Sequence, residues 1–504
     1  MAGWNELLDQ LHELADLGAA TAILDWDQQT KMPPKGAEAR AHQLATLQGI
    51  HHERLTSAAL RDALEGAGTA GDGPAPFRGE AGQALLRETR RIVERGSKLP
   101  VPFVKELASA SSRAFERWQR ARAESRFTIF RDDLARLVDL KRREARYVGY
   151  REHPYDALLD EFEPGQTATA TAAVFQEIRG PIVALLRAIQ ASPRQPRREI
   201  LTQHFPSDNQ WAFGLEVLST MGFDFEAGRQ DTSAHPFTTG FSPGDVRVTT
   251  RVYENELPVA LFGTIHEGGH ALYEQGFAPE LMRTPLANSP SLGMHESQSR
   301  LWENVIGRSS AFWRYWYPRL SARFPEQLSR IPEEDFVLAI NHVRPSFIRV
   351  EADEVTYNLH IILRFELEVA LLEGSLEVDA LPEVWNAKMD ELFGIVPERD
   401  ADGVLQDVHW SYGSFGYFPT YTLGTLYSTQ LWMALKRVFP DFEDRIARGD
   451  VLFIREWLRE NIHRHGSTFV AQELLQRVTG EGLNPTHFLG YLRQKFSALY
   501  QLVW

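Results

Sequence analysis

Apolar positions along the chain recur mainly at helical spacing. Phe130, Leu134, Leu137 and Val138 follow one another at intervals of four, three and one, which lines one face of an amphipathic helix. Ile454, Trp457, Leu458 and Ile462 repeat that pattern near the C-terminus, and Gly466 supplies a stop. Leu257 to Ile265 is mostly apolar, as suits a helix buried beneath a cleft, and Leu292 to Glu303 reads as a further helical stretch. Strand signals are few. The β-branched run Val246 to Tyr253 alternates in part and predicts one short strand just upstream of His266. Such a strand is either an edge that pairs with an extended peptide or a small structural hairpin. Glycine and proline cluster in Gly66 to Pro76, which reads as a flexible, exposed loop, and again in Pro193 to Pro196. The pattern predicts a mainly α protein with a small β element, and neither a repeat nor a long polar linker divides it.

Composition narrows the partners. The chain has 504 residues and a formal net charge of −14, which disfavours nucleic acid and anionic membranes, because polyanions reward basic patches. It has no cysteine. Disulfides and thiolate ligands are thereby excluded, so a metal ion would have to be held by histidine and carboxylate. Met1 to Glu6 shows no basic segment leading into an apolar stretch, and no run of about 18 apolar residues occurs. The expectation is a cytoplasmic protein without a membrane span. A prior of roughly 150 residues per domain suggests about three domains, but a helical enzyme can stretch one fold over the whole length.

Candidate chemistry concentrates in His266-Glu267-Gly268-Gly269-His270. Residues four apart on a helix share a face, with Cβ atoms about 5–6 Å apart, so both imidazoles can reach one zinc ion. Glu267 points roughly 100° away around the helix, beside the ion, where it suits a general base for water. Gly268 and Gly269 each cost about 1 kcal/mol in a helix interior, and close approach of substrate or of another helix would explain them. A catalytic zinc takes three protein ligands. The metzincin pattern would need Gly and His where Tyr273 and Gly276 stand, so it does not apply. Glu274 would put three ligands in a row on one helix, which cannot enclose an ion. Glu296 and Glu303 both remain, since seven residues is nearly two helical turns.

A series of short motifs runs in order along the chain. They are His235-Pro236-Phe237, Asp245-Val-Arg247-Val-Thr249, the His266 to His270 segment, His295-Glu296-Ser297-Gln298, Ile348-Arg349-Val-Glu-Ala352-Asp353, and Gly403-Val-Leu-Gln406-Asp407-Val-His409-Trp410. Leu24 to Gly36 fits the same series. Through these motifs the chain resembles the thermostable carboxypeptidase Taq family of zinc metallocarboxypeptidases nearly end to end. The resemblance implies that Glu296 is the third metal ligand and that single residues are released from the C-termini of peptides with broad specificity. It also implies a large two-lobed helical body with a long substrate groove, similar to neurolysin-like oligopeptidases and angiotensin-converting enzyme. One catalytic domain would span residues 1–504, and the assembly would be a homodimer. Cobalt is a possible substitute for zinc, since two imidazoles and one carboxylate accept both.

Two further functions are required of such an enzyme. An oxyanion donor is expected from the segment His409 to Tyr421, rich in small residues and phenols and read as a flexible loop closing over the peptide. His409, Tyr417 and Tyr421 are its candidates, Tyr421 foremost, with Tyr357 a lesser one inside a packed helix. For the terminal carboxylate an arginine fork suits. Arg349 is the choice, with an ion pair to Asp353 as its competing role. Arg247, with Asp245 as its expected partner, and His235 are further substrate-side candidates. His295 is placed to fix a ligand by hydrogen bond. His51, His52, His463 and His465 are expected on the surface. Two other functions stay open: an oligopeptidase cutting short peptides internally, and a catalytically silent metal-binding scaffold, against which an intact Glu267 argues.

Overall fold

A computed structural model describes residues 2–503. Helices α1 (Ala2–Thr30), α2 (Ala37–Leu55), α3 (Ala58–Thr69) and α4 (Glu80–Lys98) open the chain, and Trp4, Leu7, Leu60 and Leu85 form a small core among them. They lead into α5 (Val101–Glu124), α6 (Arg131–Val148), α7 (Pro154–Phe162), α8 (Ala168–Ala191) and α9 (Ser207–Met221). Three strands follow: β1 (Gly228–Thr232), β2 (Thr238–Ser242) and β3 (Asp245–Thr250). Next come α10 (Leu257–Glu274), α11 (Leu292–Arg300) and a π-helical turn, Leu301–Ile306. The remainder comprises α12 (Ser310–Arg323), α13 (Pro325–Leu328), α14 (Glu333–Ile340), α15 (Tyr357–Glu373), α16 (Leu381–Phe393), α17 (Pro419–Val438), α18 (Phe442–Ala447), α19 (Leu452–Asn461), α20 (Ala471–Thr479) and α21 (Thr486–Tyr500). The amphipathic stretches at Phe130 and Ile454 thus become α6 and α19, as their periodicity predicts.

Local chemistry sets several boundaries. Ser57, Thr167, Ser291 and Ser309 each accept a backbone N–H at the start of α3, α8, α11 and α12, an N-cap worth about 1 kcal/mol. Apolar faces then gather into two large cores. One buries Leu137, Tyr155, Ile178, Ile361 and Phe496 among α5 to α8, α15, α16 and α21. The other buries Phe213, Val246, Ile265, Trp313 and Leu458 among α9, the sheet, α10 to α14 and α19. Each fully buried leucine or isoleucine contributes roughly 1.5–3 kcal/mol. Helix α17 serves both cores, with Leu426 in the first and Leu423, Tyr427 and Leu431 in the second.

The sheet order is β1-β3-β2, with β1 parallel and β2 antiparallel to β3. The strand expected at Val246 to Tyr253 therefore ends at Thr250 and lies in the centre, paired on both sides, so it is not an edge. Strand β2 is the edge next to α10. The segment Gly66 to Pro76 is an exposed loop from Ala70 onward, as expected, apart from Gly73 and Pro74. Gly66 to Thr69 complete α3, the Trp4 indole donates to Gly71 O at 3.0 Å, and Gly73 is buried against the Trp4 ring. Contact with Trp4 holds Gly71 and Gly73 within this stretch. Trp26 near the end of α1 lies against Arg247 of β3, 4.4 Å from guanidinium to ring, and Lys31 pairs with Asp231 of β1 at 2.7 Å. These contacts tie the long first helix to the sheet.

Two buried carboxyls join the elements around the site. Glu163, just after α7, accepts the Gly293 N–H at the start of α11. Glu368 on α15 accepts from Tyr155 OH at 2.8 Å, Trp410 Nε1 at 2.8 Å and Gly416 N at 3.0 Å. Burial pushes Glu163 up to about 8 and Glu368 up to about 7, against the pull of these donors. A carboxyl raised on folding binds its proton more tightly in the native state, so it contributes fully below about pH 4.5, and the contribution is lost as pH rises through about 7 to 8. Urea-unfolding midpoints should therefore fall between about pH 7 and pH 8, above the range in which buried histidines held below their usual value add stability as pH rises. Glu163→Gln, which keeps an acceptor but cannot ionise, should flatten that fall; an unchanged slope would contradict the assignment.

Candidate metal and substrate site

Helix α10 places His266 and His270 one turn apart with ring centroids 4.9 Å from each other. Glu296 comes from α11. Its Oε2 lies 3.6 Å from His266 Nε2 and 3.3 Å from His270 Nε2. The three donor atoms all lie within 4.8 Å of one another, and two imidazoles plus one carboxylate are the donor types a divalent ion of intermediate hardness takes. The residues therefore fit the metal that the motif implies. Arg300 Nε donates to Glu296 Oε1 at 2.7 Å, which leaves Oε2 turned to the imidazoles. Burial alone would raise the Glu296 carboxyl, but Arg300 and the two histidines hold it well below the usual carboxylate range.

Spacing leaves Glu296 and Glu303 open, and of the two it is Glu296 that faces both imidazole Nε2 atoms. Glu303 stands on the π-helical turn and meets the far side of His266, Oε2 to Nδ1 at 2.9 Å. That bond aims His266 Nε2 at Glu296. Burial would lower His266, yet Glu296 and Glu303 push it up to about 9, so a metal ion competes with a proton there. His295 Nδ1 lies 2.6 Å from His270 Nδ1, and its Nε2 lies 2.7 Å from Glu274 Oε1. Glu274 is thus off the donor set, as one-helix geometry predicts. Glu267 is buried beside the set, where burial raises its carboxyl above the usual value. Thr238 Oγ1 of strand β2 donates to Glu267 Oε2 at 2.7 Å.

Close helix approach explains the paired glycines. A Cβ on Gly269 would lie 2.7 Å from Gln298 O and Ser299 Cα of α11, and one on Gly268 would strike Leu218 of α9. Gly424 performs the same service for α17, where a Cβ would lie 2.7 Å from the Glu296 Cβ. Bare backbone at these contacts lets α10 and α17 close on either side of Glu296.

A second cluster holds most of the substrate candidates. Arg349 donates from Nε and Nη2 to Asp407 Oδ1 at 2.9 and 2.8 Å, and from Nη1 to Tyr357 OH at 2.9 Å. Arg364 Nε donates to Asp407 Oδ2 at 2.7 Å. Two guanidiniums thus share one carboxylate, and one N–H on each of Arg349 Nη1 and Nη2 has no protein acceptor among the described residues. The competing Arg349–Asp353 pair does not form, because Asp353 instead accepts the Val355 and Thr356 N–H groups at the start of α15. Tyr421 lies against Arg349, guanidinium to ring 5.0 Å, with its hydroxyl 3.4 Å from His409 Nε2. Tyr417 packs 5.4 Å from Tyr421 and 5.3 Å from His409. Burial, then Arg349, takes His409 down to about 3, and burial holds Tyr421 well above the ordinary phenol value. Arg300 bridges the two clusters, bonded to Glu296 and 4.4 Å above the Tyr357 ring.

Several expectations change. The segment His409 to Tyr421 is not a free loop: Trp410 and Gly416 are bound to Glu368, and Tyr421 lies within α17. Tyr357 is buried in the first core, as its packed helix predicts, and its hydroxyl also accepts from Arg349. Arg247 does pair with Asp245 as expected, with both bonds 2.8 Å, and it also lies against Trp26. His235 is exposed between β1 and β2 and makes no side-chain hydrogen bond among the described residues. His463 is buried, not superficial, with Nε2 2.9 Å from Gln298 Oε1. Thr238, Glu303, Arg300 and Arg364 went unrecognised in their present roles. Only their fold neighbours reveal them.

A paired-imidazole helix with a carboxylate from the next helix and a buried Glu267 at its side defines a metallopeptidase of the mainly helical class. Residues 6–496 match the family model described as carboxypeptidase Taq (M32) metallopeptidase. The chain is 43% identical to thermostable carboxypeptidase 1 of Thermus thermophilus and 39% identical to carboxypeptidase 1 of Bacillus subtilis, each match covering 98% or more of both chains. The crystal structure of the M32 carboxypeptidase from Deinococcus radiodurans superposes with a TM-score of 0.97 over all of both chains at 39% identity. Trypanosoma cruzi metallocarboxypeptidase 1 superposes with a TM-score of 0.93 at 36% identity, covering 98% of this chain and 99% of that one. The chain belongs to the carboxypeptidase Taq (M32) family. It is a metallocarboxypeptidase, a hydrolase of peptide bonds, and no described helix is long and apolar enough to cross a membrane.

Gly269→Ala tests the packing argument. Forcing α10 off α11 should destabilise the protein by about 1–3 kcal/mol and lower bound metal, read by thermal unfolding and metal analysis. Wild-type stability with full metal content would show that the contact is not needed.

Proposed function

We propose that zinc, held by His266, His270 and Glu296, is the working metal, with Glu267 as general base and acid. The observation that carries this reading is the convergence of the three donor atoms beside the buried carboxyl of Glu267. When bound, a divalent ion supplies Lewis acidity, polarising the scissile carbonyl and acidifying water. Cobalt suits the same donors. Glu267, its basicity raised by burial and its orientation fixed by Thr238, takes the proton of the attacking water and returns it to the leaving amine. Tyr421, kept protonated by burial, donates to the oxyanion, with neutral His409 beside it and Tyr417 against the substrate chain.

The remaining N–H groups of Arg349 receive the terminal carboxylate of the peptide, and Asp407 holds the guanidinium plane for it. His235 and Arg247 line the approach, Arg247 through its place on the sheet. Removal of one residue at a time follows, with broad specificity. The same proposal gives the chain one catalytic domain over residues 1–504, built as two helical lobes around the two large cores, working as a cytoplasmic homodimer on peptides with a free C-terminus. Internal cleavage of short peptides is the competing product pattern.

Glu267→Gln should bind zinc as wild type does and lose about 10²–10⁴ in kcat; wild-type turnover would remove Glu267 from the chemistry. Arg349→Ala should raise KM for peptides with a free carboxylate and bring them level with C-terminally amidated ones. A selective loss of neither would move the carboxylate site elsewhere.

A further inference from the structure

The geometry points to His295 and Glu274 as a positioning pair that fixes the ring of His270 through a two-step hydrogen-bond chain; this rests on the metal set proposed above. Each ring nitrogen in the chain has one consistent assignment. His270 Nε2 faces Glu296 Oε2 at 3.3 Å and needs its lone pair for an ion, so the proton of His270 belongs on Nδ1. That Nδ1 lies 2.6 Å from His295 Nδ1, so His295 Nδ1 accepts. His295 Nε2 lies 2.7 Å from Glu274 Oε1, and an ionised carboxylate only accepts, so Nε2 carries the His295 proton. The two ligand imidazoles are therefore supported differently: His266 donates to the carboxylate of Glu303, whereas His270 reaches its carboxylate through a second imidazole.

The chain is held in place by packing. His295 lies 4.5 Å from the His270 ring and 5.3 Å from the Tyr273 ring, with buried His463 behind Tyr273 at 4.9 Å. Gly240 of strand β2 crosses directly over Glu274, where a Cβ would lie 2.7 Å from Oε2. The strand that orients Glu267 through Thr238 thus also backs the end of the His270 chain. One short strand touches the supports of both the base and a ligand.

The test is the Zn²⁺ affinity of the full chain, measured by competition with a chromogenic chelator, together with ¹⁵N-histidine NMR of the zinc-loaded protein. His295→Leu removes the acceptor and should weaken Zn²⁺ binding about 10–100-fold, whereas His295→Gln, which keeps one, should stay within about threefold of wild type. Glu274→Leu should cost about tenfold and Glu274→Gln little. NMR should place the His270 proton on Nδ1 and the His295 proton on Nε2. Wild-type affinity in His295→Leu, or a His295 proton on Nδ1, overturns the pair while leaving the metal set intact. Should His295→Leu not fold, the wild-type NMR and Glu274→Leu decide the matter. No Zn²⁺ binding by the wild-type chain would instead bring down the metal set, and this pair with it.

Discussion

The whole site depends on how closely α10, α11 and α17 approach around Glu296. Its Oε2 must face two imidazole nitrogens at once, within 3.6 Å of either, and a carboxylate side chain achieves this only if its own backbone is brought near. Gly269 removes the Cβ that would hold α11 away, and Gly424 does so for α17. Two glycines in a helix interior oppose helix formation by about 1 kcal/mol each, and tertiary packing from the large core around α9 to α14 outweighs that cost. The buried rings and aliphatic chains there hold the three helices together around Glu296.

Charge then organises what surrounds the donors. Glu296 leans on Arg300, Arg300 covers Tyr357, Tyr357 accepts from Arg349, and Arg349 shares Asp407 with Arg364. Each charge in this row is buried, where an unpaired ion would cost several kcal/mol, so the row is stable only when complete. It also links a metal half on one core to an arginine half on the other. Two guanidiniums to one carboxylate leave an excess of positive charge at Arg349. In an acidic protein of net charge −14, that local excess is the feature suited to a terminal carboxylate.

Much of this was legible in the chain itself. Helical periodicity foretold α6 and α19, and the spacing of His266 and His270 foretold two imidazoles on one face, because both follow from one regular geometry. Glu296 needed the family resemblance, since Glu303 occupies an equivalent helical position and only the π-helical turn sends it behind His266. The misjudged residues share a cause. For His463 and for part of the Gly66 to Pro76 segment, the environment comes from partners far along the chain: Gln298 for His463, and Trp4 for Gly71 and Gly73. The aromatic stretch after His409 misled similarly, because Glu368 binds it from α15.

The measurement that bears most directly on the central claim is anomalous diffraction at the zinc absorption edge from zinc-loaded crystals. The account predicts one strong peak, coordinated by His266 Nε2, His270 Nε2 and Glu296 Oε2, with Glu303 and Glu274 outside bonding distance. A peak bound by Glu303 or Glu274 in place of Glu296, or a site away from α10, would contradict it.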